Sequence, residues 1–268
     1  MSLLTLLAST AGSSPGSAPA RPRFPLGVES QIIVDGNSIS ANHGSVPTLA
    51  QLMIERLGAA LNGTSIVNAA TNGETWADML NSKGTYSISI ESVRDRNRPY
   101  CAVIIGETTN SIRGGRSVED TKADVIAYIR HVRELIPQAV IIAWPALPTG
   151  HADEATYPGD AAENAAIMEV NEWMRDNAKE LGIDLYLDLR TAVPMFNHDG
   201  NSAEKFTRYQ PYWQEAPPTK GNWAGSFGWL HPAVGEYPSS DHPMGVGKRA
   251  IADYFVQAFL SGKIPATH

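Results

Sequence analysis

Short apolar segments rich in β-branched residues recur along this chain, and most of them are followed by a helical pattern. The segments predicted as strands are residues 31–35, 64–68, 100–105, 139–144 and 183–187. Strands covered on both faces are continuous apolar runs of this kind, and consecutive parallel strands need a long crossover between them. The alternation therefore predicts a single α/β domain, a three-layer α/β/α sandwich around a mostly parallel five-stranded sheet.

Apolar residues at intervals of three and four predict the helices between and after these strands. They span residues 46–61, 74–80, 161–181 and 244–260, and another helix starts after Ser117. Residues 87–93 instead alternate between apolar and polar side chains, which predicts an edge strand or an extended connection.

The compact domain is predicted to span residues 28–264, after an N-terminal leader or linker of residues 1–27. Residues 13–25 are rich in Ser, Pro, Gly and Ala, the composition of an extended linker. Residues 197–240 combine prolines, glycines and aromatic side chains without a strand or helix pattern. Irregular stretches of that length are often functional, so we interpret this one as an aromatic-rich loop insertion that walls the functional site.

Composition argues against several classes of partner. The 268 residues carry a net charge of −7 and no cluster of Lys and Arg, so a nucleic-acid partner is not expected. No segment approaches the roughly 20 apolar residues that cross a bilayer. Cys101 is the single cysteine and cannot form an internal disulfide, and no His-Glu-x-x-His or paired-cysteine pattern indicates a metal site.

Ser38 stands where the first predicted strand gives way to a turn. It follows the turn formers Asp35-Gly36-Asn37 and precedes a helical pattern. In a parallel sheet this position is the carboxyl edge, where ligands bind. A hydroxyl held there can meet a substrate, and nearby backbone N–H groups can face an oxyanion. Ser38 is thus either a nucleophile or a residue that caps a turn.

Four short blocks resemble the sequence pattern of one enzyme superfamily. The blocks are Gly36-Asn37-Ser38-Ile39-Ser40, residues 68–73, Thr108-Thr109-Asn110-Ser111, and His242-Pro243 with Gly247 behind it. In this order and spacing they resemble the SGNH, or GDSL-type, hydrolases, whose fold is a flavodoxin-like sandwich. Asn37 stands where most members have Asp, a variant seen among the carbohydrate-directed members.

The resemblance implies the chemistry of a serine esterase. Ser38 would be the nucleophile and His242 the general base that activates it. The backbone N–H groups of Ser38 and Gly73, together with the side-chain amide of Asn110, would form the oxyanion hole. This chemistry requires neither a metal nor an organic cofactor.

Two positions depart from the family pattern. The family's triad Asp lies three residues before the His, where this chain has Ser239. Asp241 is adjacent to His242, and neighbouring side chains in an extended loop point apart. Asp241 on a shifted loop, a backbone carbonyl, or Glu236 are the alternatives for orienting the imidazole. Thr108 stands where the oxyanion block normally has Gly, so a different setting of that loop is expected.

Two further groups of residues bear on the site. His231-Pro232 is an alternative to the His242 block, but no helix with matching Gly and Ile-Ala residues follows it. Trp213, Trp223 and Trp229 lie in the predicted insertion and are expected to form a wall on which a sugar stacks, with core packing as the alternative.

These features predict a serine ester hydrolase that removes O-acetyl groups from a carbohydrate or polysaccharide through an acyl-enzyme. A lipase or thioesterase of the same superfamily is one alternative. A carbohydrate-binding module on a degenerate esterase fold is another, because the triad Asp is missing. The leader is expected to offer a docking segment for a larger assembly. A polysaccharide substrate would place the protein outside the cell or on a virion or cell surface, and any other substrate in the cytoplasm.

Overall fold

Five parallel strands form the central sheet in the part of the chain that the structure describes. The computed structural model describes residues 22–42, 47–81, 88–146, 160–188 and 245–267. The strands are β1 (Ser30–Gly36), β2 (Ser65–Asn68), β3 (Tyr100–Gly106), β4 (Val140–Ala143) and β5 (Leu185–Tyr186). They lie in the order β2-β1-β3-β4-β5, and all four neighbouring pairs are parallel. The predicted α/β fold with a five-stranded sheet is confirmed.

Helices cover both faces of the sheet. They are α1 (Leu49–Leu57), α2 (Trp76–Asn81), α3 (Ile90–Val93), α4 (Thr109–Arg113), α5 (Val118–Leu135), α6 (Asp160–Asp176), α7 (Ala178–Leu181) and α8 (Gly245–Leu260). Successive strand residues point to opposite faces, so the sheet contributes side chains to two apolar cores. Val34 and Ile104 pack in the core formed with α1 and α8. Ile33 and Val103 pack in the core formed with α2 and α5.

The structure differs from the sequence predictions at two short helices, and it divides the predicted helix 161–181 into α6 and α7 at Asn177. Residues 90–93 form α3, where an edge strand or extended connection was expected, because the Ser89 hydroxyl accepts the Ser92 N–H at 3.2 Å and starts a helical turn. Residues 109–113 form α4, where the sequence indicated only a turn. Both helices are shorter than the stretch over which apolar periodicity is informative.

Residues ahead of the predicted domain start at residue 28 also make packed contacts. Phe24 is buried, and its ring meets that of Phe259 on α8 at 5.5 Å between centroids. Its backbone N–H donates to Ile264 O at 2.9 Å. The domain limits 28–264 stay a prediction, and so does the insertion at residues 197–240, which lies outside the described residues.

Candidate active site

The chain leaves β1 through Gly36, where the backbone leaves no room for a side chain. Its φ is +140°, a conformation that residues with a Cβ rarely adopt. A Cβ at this position would also overlap the carbonyl oxygen of Gly106, its register partner on β3. The loops that follow β1 and β3 therefore start side by side, at the carboxyl edge of the sheet.

Ser38 lies on a tight turn held by its buried neighbour Asn37. The Asn37 carbonyl accepts the N–H groups of Ser40 and Ala41 at 3.0 and 2.9 Å, and its side-chain Oδ1 accepts the Ile39 N–H at 2.9 Å. Ser38 is partly exposed, whereas every other residue from Ser30 to Ala41 is buried. The turn thus presents one hydroxyl-bearing residue at the surface of an otherwise closed segment.

Hydrogen bonds draw the loop after β2 toward the end of β1. Ala69 N–H donates to Val34 O at 2.8 Å, and Thr71 N–H donates to Gly36 O at 3.0 Å. Gly73, farther along this loop, is exposed and has a φ of +80°. The predicted oxyanion donors Ser38 and Gly73 therefore belong to loops that are bonded to each other.

The loop after β3 is tied to both of the others. The side-chain amide of Asn110 donates to the Glu74 carbonyl at 2.9 Å, which joins it to the loop that carries Gly73. Glu107, buried directly after β3, accepts a hydrogen bond from Asn37 Nδ2 at 3.4 Å, which joins the same loop to the turn of Ser38. Three segments that are distant in sequence thus converge on one edge.

Thr108 adopts a φ of +146°. This is the region that favours glycine, and the position is the one where the SGNH pattern has Gly. Its Oγ1 accepts the indole N–H of Trp76 at 3.2 Å, a contact that glycine could not make. The backbone therefore keeps a glycine-like conformation here, and the threonine side chain is used to satisfy a buried indole.

The sequence profile of the GDSL-like Lipase/Acylhydrolase family matches residues 35–233, which is more than half of the chain. The chain belongs to this family. The matched region contains the turn of Ser38 and the loops of Gly73 and Asn110. The predicted resemblance to this family is confirmed, and the match covers the first three of the four blocks, whereas the His242 block lies beyond it.

Solved structures of the same superfamily share the fold at low sequence identity. A lipolytic G-D-S-L protein from Veillonella parvula DSM 2008 has a TM-score of 0.53 and 16% identity, over 86% of this chain and 98% of its own. A GDSL-like lipase from Bacteroides thetaiotaomicron VPI-5482 has a TM-score of 0.52 and 14% identity, over 87% and 89%. An acetyl xylan esterase has a TM-score of 0.55 and 15% identity, over 85% and 98%. No curated protein matches the sequence significantly.

In this GDSL-family protein a buried acid lies directly behind the turn of Ser38. Asp35 accepts hydrogen bonds from the Tyr128 hydroxyl and, at 2.8 Å, from the Gly36 N–H. Burial raises the pKa of Asp35 to about 7; the two hydrogen bonds oppose this rise and the charge of Glu74 adds to it. Burial, followed by the charge of Asp35, raises the pKa of Tyr128 well above its usual range.

A buried lysine on α8 contacts the same turn from the opposite face of the sheet. Lys248 Nζ donates to the Ala41 carbonyl, and the side chain is only 1% exposed. Burial lowers the pKa of Lys248 to about 7. The sequence carried a signal for this residue, because Lys248 precedes the buried Ile251, Ala252 and Phe255 at the spacing of one apolar helix face.

The structure brings together only part of the predicted site. Ser38, Gly73 and Asn110 lie on neighbouring loops at one sheet edge. The other predicted site residues lie outside the described residues: Asp241, His242, Trp213, Trp223 and Trp229. Within the described ranges, no group of three or more side chains could hold a metal, and no helix is long and apolar enough to span a membrane. Glu107, Asp35 and Lys248 are not among the predicted site residues.

Proposed function

We propose that this family member is a serine ester hydrolase in which Ser38 attacks an ester carbonyl and forms an acyl-enzyme. The observation that supports this most is the placement of Ser38 between β1 and β3. The strand order reverses there, and ligands of open parallel sheets bind at this point of the carboxyl edge. Ser38 is also the partly exposed residue of an otherwise buried turn.

The proposed reaction follows from the residues that surround this turn. His242 takes the proton from Ser38 Oγ as the oxygen bonds to the ester carbon. The tetrahedral oxyanion is held by the N–H groups of Ser38 and Gly73 and by the Asn110 amide. The imidazolium then gives its proton to the departing alcohol, which leaves the acyl group on Ser38. Water, deprotonated by the same imidazole, releases the acid and restores the serine.

The contacts of Asn110 support its part in this scheme. One N–H of its amide donates to Glu74 O, which fixes the plane of the group. An amide nitrogen carries two N–H groups, and the proposal assigns the second to the oxyanion. A donor that is already oriented costs no reorganisation when negative charge develops on the substrate.

His242 is the proposed base, with Asp241, a backbone carbonyl or Glu236 as the alternatives for its orienting group. His242 precedes α8 by three residues, and Lys248 in that helix contacts the nucleophile turn. His242→Ala is expected to reduce kcat by about 10³-fold or more, whereas His231→Ala leaves kcat within about threefold. Loss of activity only in His231→Ala would overturn this assignment.

The proposed substrate is an O-acetyl group on a carbohydrate or polysaccharide, and no metal or organic cofactor takes part. The Asn37 variant, the tryptophans of the 197–240 segment and the fold shared with an acetyl xylan esterase support this substrate class. Hydrolysis rates should fall as the acyl chain is lengthened from acetyl to octanoyl, with acetylated xylan included as a polymer substrate. A preference for long acyl chains or thioesters would instead favour a lipase or thioesterase.

The decisive test is Ser38→Ala, with Ser92→Ala on exposed α3 as the matched control. Ser38→Ala should lower kcat for p-nitrophenyl acetate by about 10⁴-fold or more, because removal of a serine nucleophile leaves little of the rate enhancement. A fluorophosphonate should form an adduct with the wild-type protein and the control but not with Ser38→Ala. Hydrolysis retained by a folded Ser38→Ala protein would exclude this serine, and a wild-type protein without an adduct would favour a binding module.

A further inference from the structure

Glu107 contacts both loops on which the proposed chemistry depends. Its Oε1 accepts the Asn110 N–H at 2.6 Å, the Ser111 N–H at 3.3 Å and Asn37 Nδ2 at 3.4 Å. Its Oε2 pairs with the Ser111 hydroxyl at 2.7 Å. Asn37 lies on the turn of Ser38, whereas Asn110 and Ser111 lie in the first turn of α4, in the segment after β3 that we call the Asn110 loop. A single carboxyl group therefore joins segments that are 70 residues apart in sequence.

We infer that Glu107 is a positioning residue that holds the Ser38 turn and the Asn110 loop at a fixed separation. Asn37 is the residue of the Ser38 turn through which Glu107 acts. The inference rests on the proposed function, which assigns Ser38 to attack and Asn110 to the oxyanion. Glu107 is 1% exposed and is not assigned a contact with substrate. It acts through the groups that it orients.

Because Glu107 is buried, its carboxyl group depends on hydrogen bonds from these particular donors. A carboxyl group removed from water is costly unless donors fill its lone pairs. Here two backbone N–H groups, one amide and one hydroxyl do so, and three of these four donors belong to the consecutive residues Asn110 and Ser111 at the start of α4. Moving either loop would leave a buried polar group without its partner, so the loops resist displacement.

The same geometry gives a chemical reason for asparagine at position 37. Its Oδ1 must accept the Ile39 N–H while its other terminal atom donates to Glu107. An amide offers an acceptor and a donor together, whereas an ionised carboxylate of the same size offers acceptors alone. Aspartate would place a second carboxylate about a hydrogen bond's length from Glu107, and one of the two would have to take up a proton.

The activity test compares Glu107→Ala with Glu107→Gln. Alanine frees both loops, and kcat should fall by about 10²-fold with KM changed less than about threefold, the cost of misplacing reacting groups by about 1 Å. Glutamine can keep all four contacts, with its amide oxygen toward Asn37, Asn110 and Ser111 N–H and its NH₂ toward the Ser111 hydroxyl. It should recover most of the lost kcat. A folded alanine variant with wild-type kcat, or a glutamine variant as impaired as alanine, would overturn the inference.

A stability test probes the link without requiring activity. Asn37→Asp should lower the melting temperature at pH 8, and this deficit should shrink by about 2–4 °C at pH 5, where the introduced carboxyl group can take up a proton and donate it to Glu107 in a hydrogen bond. In the Glu107→Gln background the pH dependence of the deficit should weaken, because the opposing carboxylate is gone. Gln138→Glu, at an exposed turn, is the control for replacing an amide by a carboxyl group. Asp35 also titrates in this range and is kept in every variant.

The two tests separate failure of the inference from failure of the proposed function. If the wild-type protein neither hydrolyses esters nor reacts with a fluorophosphonate, the assigned function fails, and the Asn37→Asp series still reports whether Glu107 joins the two loops. If the wild-type protein is active but the Asn37→Asp deficit has the same pH dependence whether Glu107 is kept or replaced by glutamine, the link itself is refuted.

Discussion

Single residues set the shape of the Ser38 turn. Gly36 supplies a positive φ that a side chain would strain, Asn37 closes the turn with its carbonyl and its Oδ1, and Glu107 holds Asn37 from the neighbouring loop. None of these three residues takes part in the proposed bond chemistry. Each restricts where the Ser38 hydroxyl can lie, which is what a positioned nucleophile requires.

Gly36→Ala should destabilise the protein by about 2–4 kcal/mol, because positive φ and the overlap with Gly106 O each add strain. Gly115→Ala is the matched control, since Gly115 has a φ of +86° but open space where its Cβ would be placed. Urea unfolding should show the smaller loss for Gly115→Ala. Equal losses would mean that the close approach of β1 and β3 imposes no constraint at Gly36.

Asp35 should make stability depend on pH. Its pKa is about 7 in the folded protein against 3.8 as the ordinary value, so the folded state binds more protons between about pH 4 and 7. Its contribution is therefore greatest at acidic pH and is lost as the pH rises toward 7. Asp35→Asn should flatten this fall when urea midpoints are compared at pH 5 and pH 7.5. An unchanged slope would show that Asp35 is ionised in the folded protein throughout.

At the scale of elements, α8 joins the end of the chain to the first loop of the sheet. Phe255 and Phe259 are buried on its apolar face, whereas Lys248 on the same helix donates a hydrogen bond to the Ala41 carbonyl. A buried lysine costs free energy that apolar packing would not, and here it joins α8 to the turn of Ser38. Lys248 therefore lowers the stability of the fold while its hydrogen bond holds the turn against α8.

Lys248→Met should stabilise the protein by about 1–4 kcal/mol near pH 6, because it removes a buried cation at nearly constant volume. The unfolded state binds the extra proton between about pH 7 and 10.5, so the wild-type protein gains stability over that range and the gap to the variant narrows. Lys263→Met, at an exposed position, is the control and should change stability by less than about 0.5 kcal/mol. A destabilised Lys248→Met protein would indicate that the bond to Ala41 outweighs burial.

At the scale of the whole molecule, sheet topology assembles the candidate site. The order β2-β1-β3-β4-β5 places the ends of β2, β1 and β3 next to each other, although their loops are separated by tens of residues in the chain. All five strands are parallel, so these loops leave from the same edge. The fold thus concentrates Ser38, Gly73 and Asn110 in one region, while the two apolar cores hold the sheet from both faces.

Sequence patterns alone were enough to predict the strands, the longer helices and the family, because apolar periodicity and short motifs are local signals. They also marked Ser38, Gly73 and Asn110, whose loops the structure joins, while the roles of these residues and of His242 stay predictions. Three contacts became visible only in the folded chain: Glu107 meets Asn37, Tyr128 meets Asp35, and Lys248 meets Ala41. Residues 70 or more apart form each of these contacts, and their energies depend on burial, which a local pattern does not encode.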